Sequence, residues 1–345
     1  MTTKTNQIGD LKMAHEIFES DNFLSVRQPA WHGLGVVLDD YPTREEAQAL
    51  AHPWEPITEP VFLQEHRISE EGDLYTEHEQ AEGFKAVRRS DNGDLLGVVS
   101  DTYEPVTNNE MWDIAEALQG EAKNGVKFET AGSLQGGKKV WLLITLDEPL
   151  EIAGDPHGAS VPYYSLQNAH NGSGAFRGQA TMTRIVCANT AHIADLDARA
   201  RGTEFAFSHT KNIGERIEEA RHALSGWRES LQVWKQLTEH MIDLRVSESD
   251  VSEFLDRWIP MPGENLASER VIRNVEEARE QWRSAYHSQT CEGIEGTAHG
   301  LLQASIEYAE WFRKARTAET RFKRSFLDRN DVVQSAQKLV LEIAR

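Results

Sequence analysis

The chain has 345 residues, 39% of them hydrophobic, with nine Trp and twelve Phe. That is enough apolar mass for one large domain or two ordinary ones. Its 56 acids and 36 bases leave a net charge of −20, which excludes a broadly basic nucleic-acid binder but not a local basic patch.

Two cysteines, Cys187 and Cys291, lie far apart with no CxxC pair. Neither a disulfide framework nor a zinc site is expected, and the reducing cytoplasm is the expected compartment. Residues 1–20 carry no leader-like apolar region and read as a loose tail. No run approaches the roughly 18 apolar residues of a membrane span, so no membrane association is expected.

Gln28–Gly35 contains Trp31-His32-Gly33-Leu34-Gly35, a tight turn that lacks the third glycine of a dinucleotide loop. Thr43 and Glu46 form a capping box before a short helix. Val61–Leu63 reads as a strand, and Phe84–Arg89 and Leu95–Ser100 as a hairpin across Asn92-Gly93. Asn108–Leu118 has helical spacing and stops at Gly120. A second hairpin joins Lys127–Leu134 to Lys138–Leu146 through Gly136-Gly137. A third joins Val161–Asn168 to Ala175–Val186 through Asn171-Gly172-Ser173-Gly174. Hairpins around one helix predict an antiparallel sheet with helices on one face, an α+β domain.

Beyond Phe207 the pattern turns helical. His209–Met241 reads as one long amphipathic helix, its Trp227 and Trp234 assigned to the core. Ser247 caps the next helix, and Glu269–Tyr286, Thr297–Ala315 and Asp331–Ala344 read as further helices. The expected organisation is a tail (1–20), an α+β domain (21–206) and an all-helical domain (207–345).

Pro156–Ala194 contains no Asp or Glu, where a chain of this acidity would place about six. The window carries His170, Asn171, Ser173, Arg177 and Arg184. Its glycine loop reads either as an ordinary polar turn or as an anion contact, with Ser173 and glycine N–H groups donating to phosphate. Arg177 and Arg184 are an odd number apart and would face opposite sides of a regular strand. Lys85, Arg88 and Arg89 on one hairpin, and Lys138 and Lys139 on another, either discourage edge pairing or line a groove. With Trp141 or Tyr164 on its floor, that groove would suit single-stranded nucleic acid. Arg313–Arg329, with seven bases and two acids, is the most basic run. It reads as a solvated surface, a phosphate contact or a subunit interface. No carboxylate pair, metal-ligand spacing or nucleophile elbow appears, so no catalytic residue, metal or cofactor is expected.

Several segments together resemble a phage- and plasmid-encoded family catalogued as a domain of unknown function. They are Pro29–Gly35, Gly97–Val106, Ala131–Trp141, Asn168–Arg177 and Arg184–Thr190, with His209-Thr210 and Gly296-Thr297 opening helices. The resemblance implies a phage-type protein and names no activity. The order of helix, hairpins and helices is also similar to that of phage single-strand annealing recombinases, a likeness of fold alone. The leading expectation is a cytoplasmic single-stranded DNA binder in the bacterial host. It would act as a homo-oligomer, in strand annealing during replication or recombination. The alternatives are a factor that binds a host protein, and an enzyme acting on nucleotides or other phosphorylated small molecules.

Overall fold

The computed structural model describes residues 21–26, 35–117, 127–145, 149–156, 159–184, 189–192, 204–209, 218, 227–263, 268–314 and 331–343. In chain order the first half comprises β1 (Phe23–Val26), β2 (Val36–Leu38), α1 (Arg44–Ala51), β3 (Pro56–Ile68), β4 (Leu74–Arg89), β5 (Leu95–Ser100) and α2 (Asn108–Ala117). The sheet continues with β6 (Lys127–Leu134), β7 (Lys139–Thr145), β8 (Leu150–Glu151), β9 (Ala159–Ala169), β10 (Phe176–Arg184), β11 (Asn189–His192) and β12 (Glu204–Phe207). The second half holds α3 (Trp227–Asp243), α4 (Glu248–Trp258), α5 (Glu269–Tyr286), α6 (Ala298–Glu307) running into a π-helical turn (Tyr308–Phe312), and α7 (Asp331–Ile343). The fold is α+β, with the helical part at the C-terminal end.

The strands form two sheets. One has nine strands in the order β11-β10-β9-β7-β6-β1-β2, with β12 also on β10 and β8 on β9; the other is β3-β4-β5. Every pairing among the described strands is antiparallel except β1 with β2, so the large sheet is mixed at that edge. Strand alternation gives the large sheet two unlike faces. One rung runs Leu24, Ala131, Leu142, Leu166, Gly178, Phe205, and its apolar side chains are buried with the helices in one cluster that includes Trp112, Phe254, Trp282 and Leu301. The neighbouring rung runs Phe23, Gly132, Trp141, Gln167, Arg177, Ala206 on the opposite face. There Phe23, Leu134 and Trp141 make a small separate cluster.

Residues 152–156 tie the sheet to the helices. Ile152 is buried, the Ala153 N–H donates to Glu239 Oε1 at 3.0 Å, and Gly154 and Pro156 pack against Ile242 and Gly293.

Local sequence explains the ends of several elements. Thr43 and Glu46 cap α1 reciprocally, at 2.9 and 3.3 Å. Ser247 and Asp250 do the same for α4. Helix α5 has the expected bounds, whereas the helix expected over Thr297–Ala315 closes earlier. There Arg313 N–H bonds back to Tyr308 O, a five-residue step. Of the expected His209–Met241 helix, Trp227–Asp243 is helical; 210–217 and 219–226 lie outside the described residues. His209 belongs instead to the sheet side, its ring stacked on Tyr103 at 4.6 Å. Strands β1, β2, β11 and β12 are short and carry no alternation signal of their own; β11 and β12 share β10 as their partner.

The largest departure is β3–β4. The expected three-residue strand at Val61–Leu63 is part of a 13-residue strand, paired with one of 16 residues. Residues 64–83 lack an apolar alternation because neither side of this ribbon faces a core. The ribbon turns at Glu70–Gly72, where Ser69 N–H bonds Asp73 O and Gly72 N–H bonds Ser69 O.

Candidate nucleic-acid interface

Of the ten basic and polar residues picked out by sequence, nine divide into three groups. Lys85, Arg88 and Arg89 sit on β4, and each meets a carboxylate. Lys85 Nζ lies 3.4 Å from Glu104, and Arg88 Nη1 2.6 Å from Glu59. Arg89 is only 2% exposed. It donates to both Asp91 oxygens at 2.9 and 2.7 Å, to Gly136 O at 3.3 Å, and lies 4.4 Å over the Trp54 ring. Hydrogen bonding to Arg89 holds the Asp91 carboxyl below its usual range. This fork joins the two sheets. Arg89→Lys keeps the charge but loses the planar fork, so unfolding in urea is expected to show a loss of about 2 kcal/mol.

His170 is fully buried. Its Nε2 lies 3.0 Å from Asn108 Oδ1, while Asn108 Nδ2 donates to Trp54 O at 2.7 Å. That second bond orients the amide, so Nε2 carries the proton and Nδ1 is a bare acceptor, without a partner among the described residues. Burial first, then His209 and His52, pushes the His170 pKa down to about 3. A neutral ring walled off from solvent cannot attract an anion. His52 and His209 are likewise lowered to about 4, chiefly by burial.

The third group comes together at one end of the large sheet. Lys139 pairs with Ala169, Arg177 with Gln167, and the Lys138 carbonyl accepts the His170 N–H at 2.9 Å. Alternation puts Lys139, Gln167 and Arg177 on the face away from the helices. Lys138, Lys139 and Arg177 are partly exposed and form no ion pair with a described residue. Beside them the loop presents Asn171 and exposed Ser173; Asn171 Oδ1 accepts the Ser173 N–H at 3.0 Å. The loop is clamped by β5. A Cβ at Gly97 would lie 2.8 Å from Asn171 Cα, and Gly172 has φ +74°. The same face continues along β9 and β10 as Ser165, Gln179 and Thr181. Gln167 bonds Ser165 at 3.1 Å, and the buried Thr181 Oγ1 has no partner among the described residues. Glu204, opposite Gln179, is the acid on this strip. The tenth residue, Arg184, ends β10 opposite Ser160, seven residues along the strand from Arg177.

The expected groove floor needs correction. Trp141 and Tyr164 do not line a groove: Trp141 packs on Phe23 with centroids 4.8 Å apart, and Tyr164 is fully buried in the main core. Neither ring can stack on a base. The Gly136-Gly137 turn, with positive φ from Gln135 to Gly137, does form an anion cradle, but the chain fills it. Asp21 accepts from Ser133 Oγ, Gly136 N and Gly137 N at 2.8–3.0 Å. Glu55 likewise accepts the Asn108 and Asn109 N–H groups at the start of α2, and burial pushes its carboxyl up despite those bonds. An aspartate 112 to 116 residues from its partners left no local signal.

A shallow cleft of about 340 Å³ between α1 and β3 is floored by His52 and Trp54 and rimmed by Glu45 and Glu55, a lining that repels anions. Among the described residues no group of three or more His, Cys, Asp or Glu side chains is placed to hold a metal. Nor is any helix among them long and apolar enough to cross a membrane. Cys187 and residues 315–329 of the basic run lie outside the described residues.

No curated protein and no solved structure matches the chain. A family model described as Domain of unknown function (DUF932) matches residues 95–330, about two thirds of the chain. It takes in β5 to α6 and the whole cation cluster, while α1, β3 and β4 precede it. The chain belongs to this family of unknown function.

Proposed function

We propose that the protein binds single-stranded nucleic acid through its phosphates at the loop end of β7, β9 and β10. The observation that carries this reading is the contrast among its cations. In a chain of net charge −20, Lys85, Arg88 and Arg89 are each matched to a carboxylate. Lys138, Lys139 and Arg177 are left unmatched among the described residues, at one sheet end, in and beside a window without acids. Asn171 and Ser173 add hydrogen-bond donors at the same end. With neither Trp141 nor Tyr164 placed to stack on a base, affinity comes from backbone charge, tolerates sequence and falls with salt. No covalent step is involved. The resemblance to phage- and plasmid-borne proteins supports a role in strand annealing or recombination, in the cytoplasm of a bacterial host.

The test is a titration of fluorescently labelled oligothymidylate at about 50 mM salt, where phosphate contacts are strongest. The triple variant Lys138→Ala, Lys139→Ala, Arg177→Ala is expected to bind at least about tenfold more weakly than the parent. Arg88→Ala, whose charge Glu59 already offsets, serves as the control and is expected to bind as the parent does. Absence of binding by the parent chain removes the reading.

A second reading, a factor that docks on a host protein, is favoured by one feature: the exposed β3–β4 ribbon. Co-purification of one stoichiometric host protein, without DNA binding, is its expected signature.

A further inference from the structure

The chain holds three Asn-Gly steps, at Asn92, Asn124 and Asn171, of which the second lies outside the described residues. An Asn-Gly step can cyclise. The glycine nitrogen attacks the asparagine side-chain carbonyl carbon, and the missing Cβ leaves that approach open. The steps at Asn92 and Asn171 sit in hairpin turns of similar shape. Asn171 Oδ1 accepts the Ser173 N–H at 3.0 Å, and Asn92 Oδ1 accepts the Asp94 N–H at 2.9 Å. Each bond folds the side chain back over the next peptide. Gly172 and Gly93 have φ of +74° and +73°.

The two steps differ in what restrains them. At Asn92 the attacking nitrogen is tied down, since Gly93 N–H donates to Arg89 O at 3.1 Å. The leaving amide is held as well, with Asn92 Nδ2 donating to Asp94 Oδ2 at 2.9 Å. Asp91 and Asp94 flank the step and oppose negative charge on the nitrogen. At Asn171 the Gly172 N–H and the Asn171 Nδ2 bond no described group, and Gly172 is exposed. No acid occurs in sequence from Pro156 to Ala194. Lys138, Lys139 and Arg177, at the same sheet end, favour the anionic nitrogen and the oxyanion that its attack forms.

We infer that Asn171 is a deamidation site, and that its conversion to an acid weakens the phosphate contact made by the same loop. The second half rests on the phosphate reading proposed above. The Gly172 nitrogen gives its proton to solvent base and bonds to Asn171 Cγ. The bond from Cγ to the side-chain nitrogen breaks, and that nitrogen takes up a proton and leaves as ammonia. Water then opens the cyclic imide at either carbonyl, which gives aspartate or isoaspartate. One water is consumed, one ammonium is released and one negative charge remains, with no change of oxidation state. That charge arrives beside Lys138, Lys139 and Arg177, in a window otherwise free of acids. Isoaspartate also lengthens the main chain by one atom, in a turn whose Asn171 Cα would lie 2.8 Å from a Cβ at Gly97. The conversion runs one way, so phosphate affinity falls as the molecule ages.

Incubation of the full chain in warm, mildly alkaline buffer for several days, followed by peptide mass mapping, tests the site. Asn171 is expected to convert at least about tenfold faster than Asn92. Equal rates, or faster conversion at Asn92, overturn the assignment. Oligothymidylate titration of fresh and aged samples tests the consequence. The aged parent is expected to bind more weakly than the fresh one. Asn171→Asp is expected to bind about fivefold more weakly than the fresh parent at about 50 mM salt. Asn171 is partly exposed, so an unchanged thermal melt confirms that this variant folds. Asn171→Gln, whose longer side chain closes the ring poorly, is expected to lose no further affinity on ageing. An ageing loss that persists in Asn171→Gln, or unchanged affinity in both the aged parent and Asn171→Asp, overturns the switch and leaves the phosphate reading standing. A fresh parent that does not bind removes the phosphate reading and the switch with it, while the mapping still decides whether Asn171 is modified.

Discussion

Acidification from pH 7 to pH 5 is expected to remove several kcal/mol of stability, well before most carboxylates are protonated. The groups responsible are His52, His170 and His209, with folded pKa values of about 4, 3 and 4. A histidine in the unfolded chain titrates near 6.5. The folded values lie below this, so the unfolded state binds protons that the folded state refuses. Stability is fully present above pH 6.5 and is lost as pH falls toward 4. With three extra protons on the unfolded chain the slope approaches about 4 kcal/mol per pH unit near pH 5, against a typical total of 5–15 kcal/mol. Urea unfolding at pH 7.5, 6 and 5 reads the slope directly. His170→Gln keeps an amide N–H for Asn108 and is expected to reduce it by about one proton. A midpoint that does not move between pH 7.5 and 5 contradicts the neutral, buried assignment of these rings.

Trp112→Ala is expected to cost about 3–5 kcal/mol, among the largest losses available to one substitution. Trp112 is fully buried in the first turns of α2, its ring 5.0 Å from Phe128 on β6. Its Nε1 donates to His52 Nδ1 at 3.2 Å, and His52 Nε2 in turn donates to Gly132 O at 2.8 Å. This relay joins α2, the end of α1 and β6, and it fixes the tautomer of His52. Trp112→Phe keeps most of the apolar contact but strands the His52 acceptor, for an expected loss of about 1–3 kcal/mol. Denaturant unfolding of both variants separates cavity from hydrogen bond. A Trp112→Phe variant as stable as the parent would show that the relay contributes nothing.

These two networks also show which parts of the molecule the sequence could reveal. Where an element is specified locally, its residues announce it: the Thr43–Glu46 and Ser247 caps, the β6–β7 and β9–β10 hairpins, the bounds of α5. The helices on one face of the large sheet follow from its alternating strands. The β3–β4 ribbon was hidden because Gln64–Gly83 is held by ladder bonds and cross-strand pairs, with no buried face to imprint a period. At the candidate site, sequence identified the cations but not their partners. Arg89 and Lys139 look alike in a string of letters; only the fold brings Asp91 and Trp54 to the first and leaves the second open. His170 drew attention as part of a polar loop, yet it is a buried neutral member of a histidine and tryptophan network. Trp141 illustrates the same limit, since an alternating strand does not say which of its faces another segment covers. Asp21, which fills the Gly136-Gly137 cradle, acts on residues more than a hundred positions away.

The central claim is that unmatched cations beside the glycine loop contact phosphates. It is tested most directly by the salt dependence of oligothymidylate binding in the parent and in Arg177→Ala. Each phosphate contact on a single strand contributes about 0.7 to the slope of log affinity against log salt. The account predicts weaker binding by Arg177→Ala and a slope shallower by about that amount. An unchanged slope and affinity, or no binding by the parent at about 50 mM salt, contradicts it.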